Sequence, residues 1–219
     1  MDPRFSRSDQ RDGGRLITHE LLIATGNKGK VAELRSLLAS LPLRLRSLAE
    51  FPSAREVEET GRTFSDNAAL KAQGYAEQTG LWTLADDSGL EVDALGGAPG
   101  VFSARYGGEG LTDADRVERL LGELSKVAAK DRRARFVCVI AIADPSGQVM
   151  NLSTGTCEGQ IVHAPRGTRG FGYDPVFLPD GFDQTFGELS AEIKHEISHR
   201  ARALKAARSF LVKHFQTTP

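Results

Sequence analysis

The sequence predicts an α/β protein: a mixed central sheet with flanking helices, forming one compact unit of two lobes. Three observations carry this. Glu20–Thr25 (ELLIAT) is a short apolar run that passes through a Gly-rich turn into a segment with Val31, Leu34, Leu38 and Leu41 at helical spacing, a strand–turn–helix unit. Ala134–Ala143 (ARFVCVIAIA) is rich in β-branched residues, and the turn DPSG at 144–147 reverses it into a second strand, Gln148–Val162. A hairpin beside strand–helix units makes the sheet mixed rather than purely parallel. No repeat, low-complexity tract or long linker interrupts residues 19–215.

The composition sets limits on function. The chain has 219 residues, 40% hydrophobic and 26% charged, enough apolar content for a sizeable core. A formal net charge of −1 gives no general electrostatic pull toward nucleic acid or an anionic membrane surface. No apolar run approaches the roughly eighteen residues of a membrane span. Arg4, Arg7, Arg11 and Arg15 precede no apolar core of a secretory signal, so residues 1–18 are expected to be a disordered extension and 19–219 the folded unit. Cys138 and Cys157 lack metal-ligand spacing and are expected to be buried, reduced thiols of a cytoplasmic protein.

Taken in order, the first helix has Asn27 as its N-cap and Pro42 beyond its end. The junction TGNKGK, residues 25–30, combines a strand end, a Gly-rich turn and a helix N-terminus, a natural anion site. It lacks the spacing of a Walker A loop or of GxGxxG. Read alone, it is equally a capped turn with Lys28 and Lys30 in solvent. LRLRSL at 43–48 alternates as a strand, and EVEETG at 56–61 is an acidic loop whose Glu58 and Glu59 are either solvated or brought beside Asp87. A helix spans Thr63–Thr79, capped by Thr63 or Ser65 and ended by Gly80, with Asn67 in its first turn.

The central stretch is LADDSGLEVDALGGAPGVFSARY, residues 84–106. An apolar run from Leu81 to Ala85 is expected to end as a core strand at Asp86 and Asp87, leaving two carboxylates at the sheet's edge. Such a pair holds a divalent cation or activates a water. As plain turn residues, the two aspartates would serve neither purpose. Thr112 opens a helix carrying Val117, Leu120, Leu121 and Leu124. GTRGFGYDPVF, residues 167–177, presents Phe171, Gly172, Tyr173 and Asp174 on a tight loop, suited either to a planar ring or simply to the core. In AEIKHEISHRARAL, residues 191–204, Lys194 lies ahead of the expected N-cap Ser198, with His199 and Arg200 in the first turn. Cations at a helix N-terminus oppose its dipole, a cost that an anionic or carbonyl-bearing ligand would offset.

Together, TGNKGK, EETGRTFSDNA, ADDSGLEVDALGGAPGVFSARY, FGYDPVF and SHRARAL closely resemble the inosine triphosphate pyrophosphatases, in order from about Leu21 to Leu204. That resemblance implies two lobes around a deep nucleotide-binding cleft, a homodimer, and Mg²⁺-dependent hydrolysis of ITP, dITP or XTP to the monophosphate and pyrophosphate. It implies that Thr25, Gly26, Asn27, Lys28, Gly29 and Lys30 bind the triphosphate. Asp87 is the implied proton acceptor and metal ligand, with Glu58 as second acidic ligand and Glu59 as its alternative. Ser88, Phe171, Gly172, Tyr173, Asp174, Lys194, His199 and Arg200 are implied to line the nucleotide pocket. The competing readings are a Maf-like nucleotide pyrophosphatase, a nucleotide-sensing module without turnover and a purely structural dimer.

Overall fold

Eight strands and five α-helices alternate along the computed structural model, which describes residues 19–215 together with 11–12 and 15–16. The short strands β1 (Arg11–Asp12) and β2 (Arg15–Leu16) pair antiparallel; the rest of the expected extension 1–18 lies outside the described residues. β3 (His19–Ile23) leads into α1 (Lys28–Leu38), which starts where the Asn27 side chain accepts the Lys30 N–H at 3.1 Å. β4 (Leu43–Ser47) follows, then α2 (Phe64–Thr79), closed at its start by a reciprocal Thr63–Asp66 capping box and at its end by Gly80 in the left-handed region.

β5 (Trp82–Val92) leads to α3 (Asp113–Glu123); β6 (Arg133–Ala143) and β7 (Val149–Ile161) form the expected hairpin, and β8 (Phe177–Pro179) borders it. α4 (Ala191–Ile197) and α5 (His199–Phe215) complete the chain. The six-stranded sheet has the order β4-β3-β5-β6-β7-β8, parallel across the first three strands and antiparallel across the rest. Three apolar clusters surround it: one under α1 and α5, one under α2, and one around α3, Phe136, Phe177 and Phe186 at the far end.

Two expectations need correction. The strand expected to stop at the aspartates continues through Asp86, Asp87, Ser88 and Gly89 to Val92. β6 pairs with it all the way, from Thr83↔Ala143 to Val92↔Ala134, and this cross-strand ladder outweighs the weak strand propensity of Asp, Ser and Gly. What stops is the other neighbour: β3 pairs only as far as Ile23↔Leu84. The aspartates therefore sit mid-strand, where the parallel partner ends and the 24–27 turn takes its place.

The second correction concerns the C-terminal third. Lys194 is not in a loop ahead of one helix but inside α4, capped by Ser190. Ser198 is extended; its N–H donates to the Lys194 carbonyl and its Oγ accepts the Ala201 N–H at 3.2 Å. One serine thus ends α4 and caps α5. α5 approaches β7 at Gly155, where a Cβ would lie 2.2 Å from the His199 carbonyl oxygen. That close approach seats His199 and Arg200 over the sheet.

Candidate active site

Successive strand residues point to opposite faces, so Asp86 and Asp87 look in different directions from the middle of β5. Asp86 faces α1 and α5 and is fully enclosed. Its Oδ1 accepts from Lys30 Nζ at 2.7 Å and Ser88 Oγ at 2.8 Å; its Oδ2 accepts from Arg200 Nε at 2.7 Å and Cys138 Sγ at 3.1 Å. Burial opposes ionisation of this carboxyl, but Arg200 and Lys30 outweigh burial and hold it well below the usual range. Burial and the Asp86 charge push the Cys138 thiol well up, so it acts here as a neutral donor.

Asp87 faces α2. Its Oδ1 accepts from Lys71 Nζ at 2.9 Å, while its Oδ2 is covered and has no hydrogen-bond partner. Burial raises its pKa, and Lys71 only partly counters that. Lys71 also donates to the Asp86 carbonyl oxygen at 2.9 Å and pairs with Glu59 at 3.0 Å. A carboxylate with one oxygen held and the other unpartnered is oriented and still able to take a proton or a cation. Around it lies a cavity of about 240 Å³ lined by Thr25, Gly26, Asn27, Glu59, Lys71 and Asp87.

A second cavity, about 260 Å³, adjoins the first. Asn27, Lys30, Ser88 and Ala104 line both. The rest of its wall includes Phe136, the 171–174 loop, Lys194, His199, Arg200 and, from α3, Asp113 and Arg116. The loop is braced by Asp174, whose Oδ2 accepts the Phe171 N–H at 2.9 Å and Lys194 Nζ at 2.5 Å. Burial raises the Asp174 pKa against the pull of Lys194. Glu33 ties the wall together: it pairs with Lys194 at 2.7 Å and with Arg200 Nη1. Burial would raise Glu33, yet the two cations keep it lowered. His199 stacks on Phe136, ring centroids 4.7 Å apart and 11° from parallel, and its Nδ1 is covered without a partner. Burial and the Arg200 charge drop its pKa well below the ordinary value, so the ring is neutral.

The sequence-predicted residues divide accordingly. Thr25, Gly26, Asn27, Lys30, Asp87 and Ser88 meet around the first cavity, and Phe171, Gly172, Tyr173, Asp174, Lys194, His199 and Arg200 around the second. Lys28 is exposed and lines neither; Gly29 packs against the Phe171 ring, 2.5 Å from where a Cβ would stand. Glu58 is also exposed, and the acid that reaches Lys71 and Asp87 is its neighbour Glu59. The dipole cost of Arg200 is offset within the protein by Asp86 and Glu33, and Asn67 turns its Oδ1 to the Gly61 N–H at 2.8 Å. Sequence reasoning missed Lys71 and Glu33. Lys71 is the one cation of α2 and falls among its alanines, the signal that the sequence offered; in the fold it is 7% exposed. Among the described residues no group of three or more His, Cys, Asp or Glu is arranged to hold a metal, and no helix is long and apolar enough to cross a membrane.

The profile of the Ham1 family matches residues 21–210, a span that includes both cavities. The chain belongs to the Ham1 family. It is similar to the dITP/XTP pyrophosphatase of Desulforamulus reducens, 52% identical over 192 residues that cover 88% of this chain and 95% of that one. It is also similar to the protein of the same name from Bacillus licheniformis, 50% identical over 88% of this chain and 97% of that one. Among solved Ham1 structures, a HAM1 protein from Coxiella burnetii superposes with a TM-score of 0.81 at 42% identity, covering 90% of this chain and all of the other. A dITP/XTP pyrophosphatase from Mycobacterium abscessus superposes at 0.70 with 44% identity, covering 85% of this chain and 97% of that one. The mixed sheet with flanking helices is thus the Ham1 fold.

Proposed function

We propose that this protein hydrolyses noncanonical purine nucleoside triphosphates, ITP, dITP and XTP, to the monophosphate and pyrophosphate. One observation carries the reading: two adjoining cavities share Asn27, Lys30, Ser88 and Ala104, one walled by aromatic side chains and His199, the other holding an unpartnered carboxylate oxygen. The relatives named dITP/XTP pyrophosphatase support it. The base occupies the cavity of Phe136, Phe171 and His199. The phosphates lie along the 25–27 turn and the N-terminus of α1, whose free N–H groups and dipole favour anions.

In the reaction, Asp87 Oδ2 takes a proton from a water as that water's oxygen bonds to the α-phosphorus. The bond from the α-phosphorus to the bridging oxygen breaks, and pyrophosphate leaves. Lys71 keeps Asp87 in orientation and counters part of the phosphate charge. The acids fit Mg²⁺, because Mg²⁺ is usually held by one or two carboxylates plus phosphate and water oxygens, and Asp87 and Glu59 line the same cavity. Bound there, the ion would neutralise charge on the triphosphate.

Base selection rests on neutral His199, whose unpartnered Nδ1 donates to a 6-keto oxygen and is left unpaired by the 6-amino group of adenine. Discrimination on the order of 10⁴ is attainable this way. A cytoplasmic homodimer completes the reading; exposed Phe102, Met150 and Leu152 are apolar side chains available to a subunit contact, and sedimentation tests it. The activity is tested by product analysis with ITP, XTP, GTP and ATP in Mg²⁺ buffer. Monophosphate plus pyrophosphate from ITP and XTP is expected. Diphosphate plus phosphate would overturn the α-phosphorus assignment, and tight binding without product would leave a sensor.

A further inference from the structure

The base cavity has one wall that the keto-pairing groups do not explain. It comes from α3. The Asp113 carboxylate accepts the Gly172 N–H at 2.7 Å and so ties the start of α3 to the 171–174 loop. One turn further on, Arg116 lines the base cavity together with Tyr173. The Arg116 side chain is only 14% exposed. Its contact with Asp113, Nη1 to Oδ1, is 3.4 Å, too long to be a strong charge-assisted bond. Its Nε is fully covered and has no hydrogen-bond partner. A covered, unpartnered N–H donor on a nearly buried cation that lines a ligand cavity is costly unless a ligand supplies the acceptor.

Resting on the activity proposed above, we infer that Arg116 is a specificity-determining residue that reads position 2 of the purine and sets the order XTP, then ITP, then GTP. The three bases share the 6-keto group that faces His199 and differ at carbon 2. Xanthine has a second carbonyl there, which accepts from Arg116 Nε. Its ring also gives up a proton readily, and the resulting negative charge favours a guanidinium. Hypoxanthine has only C–H at that position and leaves Nε unpaired. Guanine has an amino group, so a donor faces a donor, and that juxtaposition is repulsive. The same contact that favours xanthine therefore excludes guanine.

The test compares wild type, Arg116→Met and Arg116→Lys, each checked for folding by circular dichroism. Both kcat/KM for XTP, ITP and GTP and the dissociation constants of XMP, IMP and GMP by calorimetry are measured. In Arg116→Met the XTP-to-ITP ratio is expected to fall roughly tenfold or more, the scale of a lost charge-assisted hydrogen bond, and GTP to gain relative to ITP. Arg116→Lys is expected to recover part of the xanthine preference, since it keeps the charge but not the fixed Nε. Monophosphate affinities should follow the same order. Unchanged ratios in Arg116→Met, with all three substrates reduced alike, would overturn the inference and leave Arg116 as a support for α3. Failure of wild type to release pyrophosphate would refute the activity instead, while the monophosphate affinities would still decide the role of Arg116.

Discussion

Asp86 and Asp87 are neighbours on one strand and lead opposite lives. Asp86 accepts four hydrogen bonds, from Lys30, Ser88, Arg200 and Cys138, and leaves nothing for a ligand. Asp87 has one oxygen held by Lys71 and the other unpartnered. The difference extends outward. Asp86, Glu33 and Asp174 form a paired scaffold with Lys30, Lys194 and Arg200, whereas Asp87 Oδ2, His199 Nδ1 and Arg116 Nε are covered atoms without partners beside the cavities. The satisfied groups fix the geometry, and under the proposed function these three unsatisfied atoms are the ones offered to the substrate. Strand alternation sends the two side chains to opposite faces, and the elements packed on each face set the two roles.

The contrast breaks most visibly at Asp87. Asp87→Asn keeps an acceptor for Lys71 but cannot take a proton, so pyrophosphate release from ITP is expected to fall on the order of 10²–10⁴-fold while the urea midpoint holds. A midpoint that collapses with activity would place Asp87 in the scaffold.

Asp86→Asn should do the reverse. It leaves the buried Arg200 and Lys30 without their shared counter-charge, a loss of about 3–5 kcal/mol of stability in urea unfolding. A stable but inactive Asp86→Asn would mean that Asp86 acts on the substrate.

His199 sharpens the comparison through pH. Its pKa in the folded protein is lowered, so the unfolded chain binds the proton more tightly. Its contribution to stability is therefore complete above about pH 6.5 and is lost as pH falls below that, with a slope of at most about 1.4 kcal/mol per pH unit. Urea titrations of wild type and His199→Phe from pH 7.5 to 5.5 should show the smaller slope in the variant. Equal slopes would mean that the ring binds its proton as tightly in the fold as in the unfolded chain.

The smallest expected effect is at the edge of the scaffold. Cys138→Ala removes only a weak S–H donor from Asp86 and should cost about 1 kcal/mol in urea unfolding, with pyrophosphate release retained. A loss several times larger would show that the thiol is an essential partner of Asp86.

Much of the fold was legible because it is written in local signals. Asn27, Thr63 and Thr112 cap helices as their side chains allow, Gly80 ends α2, and the β6–β7 hairpin forms around the DPSG turn. The site was legible as residue types: carboxylates, a Gly-rich turn, an aromatic loop and basic residues near a helix start. Partners were not legible. Glu58 and Glu59 are indistinguishable in sequence, and only the path of the acidic loop past α2 brings Glu59 to Lys71. The break at Ser198 was hidden because a capping serine reads the same whether a loop or another helix precedes it.

By itself, the sequence determined which segments become helix or strand, since capping, turn chemistry and hydrophobic period act over a few residues. It also determined that acidic, basic and aromatic groups are available for a nucleotide. The tertiary structure alone decided which charges cancel. Arg200 meets Asp86 across 114 residues and Glu33 across 167, and Lys71 meets Asp87 from a different element. Such pairings follow from the packing of α1, α2 and α5 on a twisted sheet, a global property that no window of sequence contains. The protonation and availability of each group follow in turn from that packing, because burial and neighbouring charge set them together.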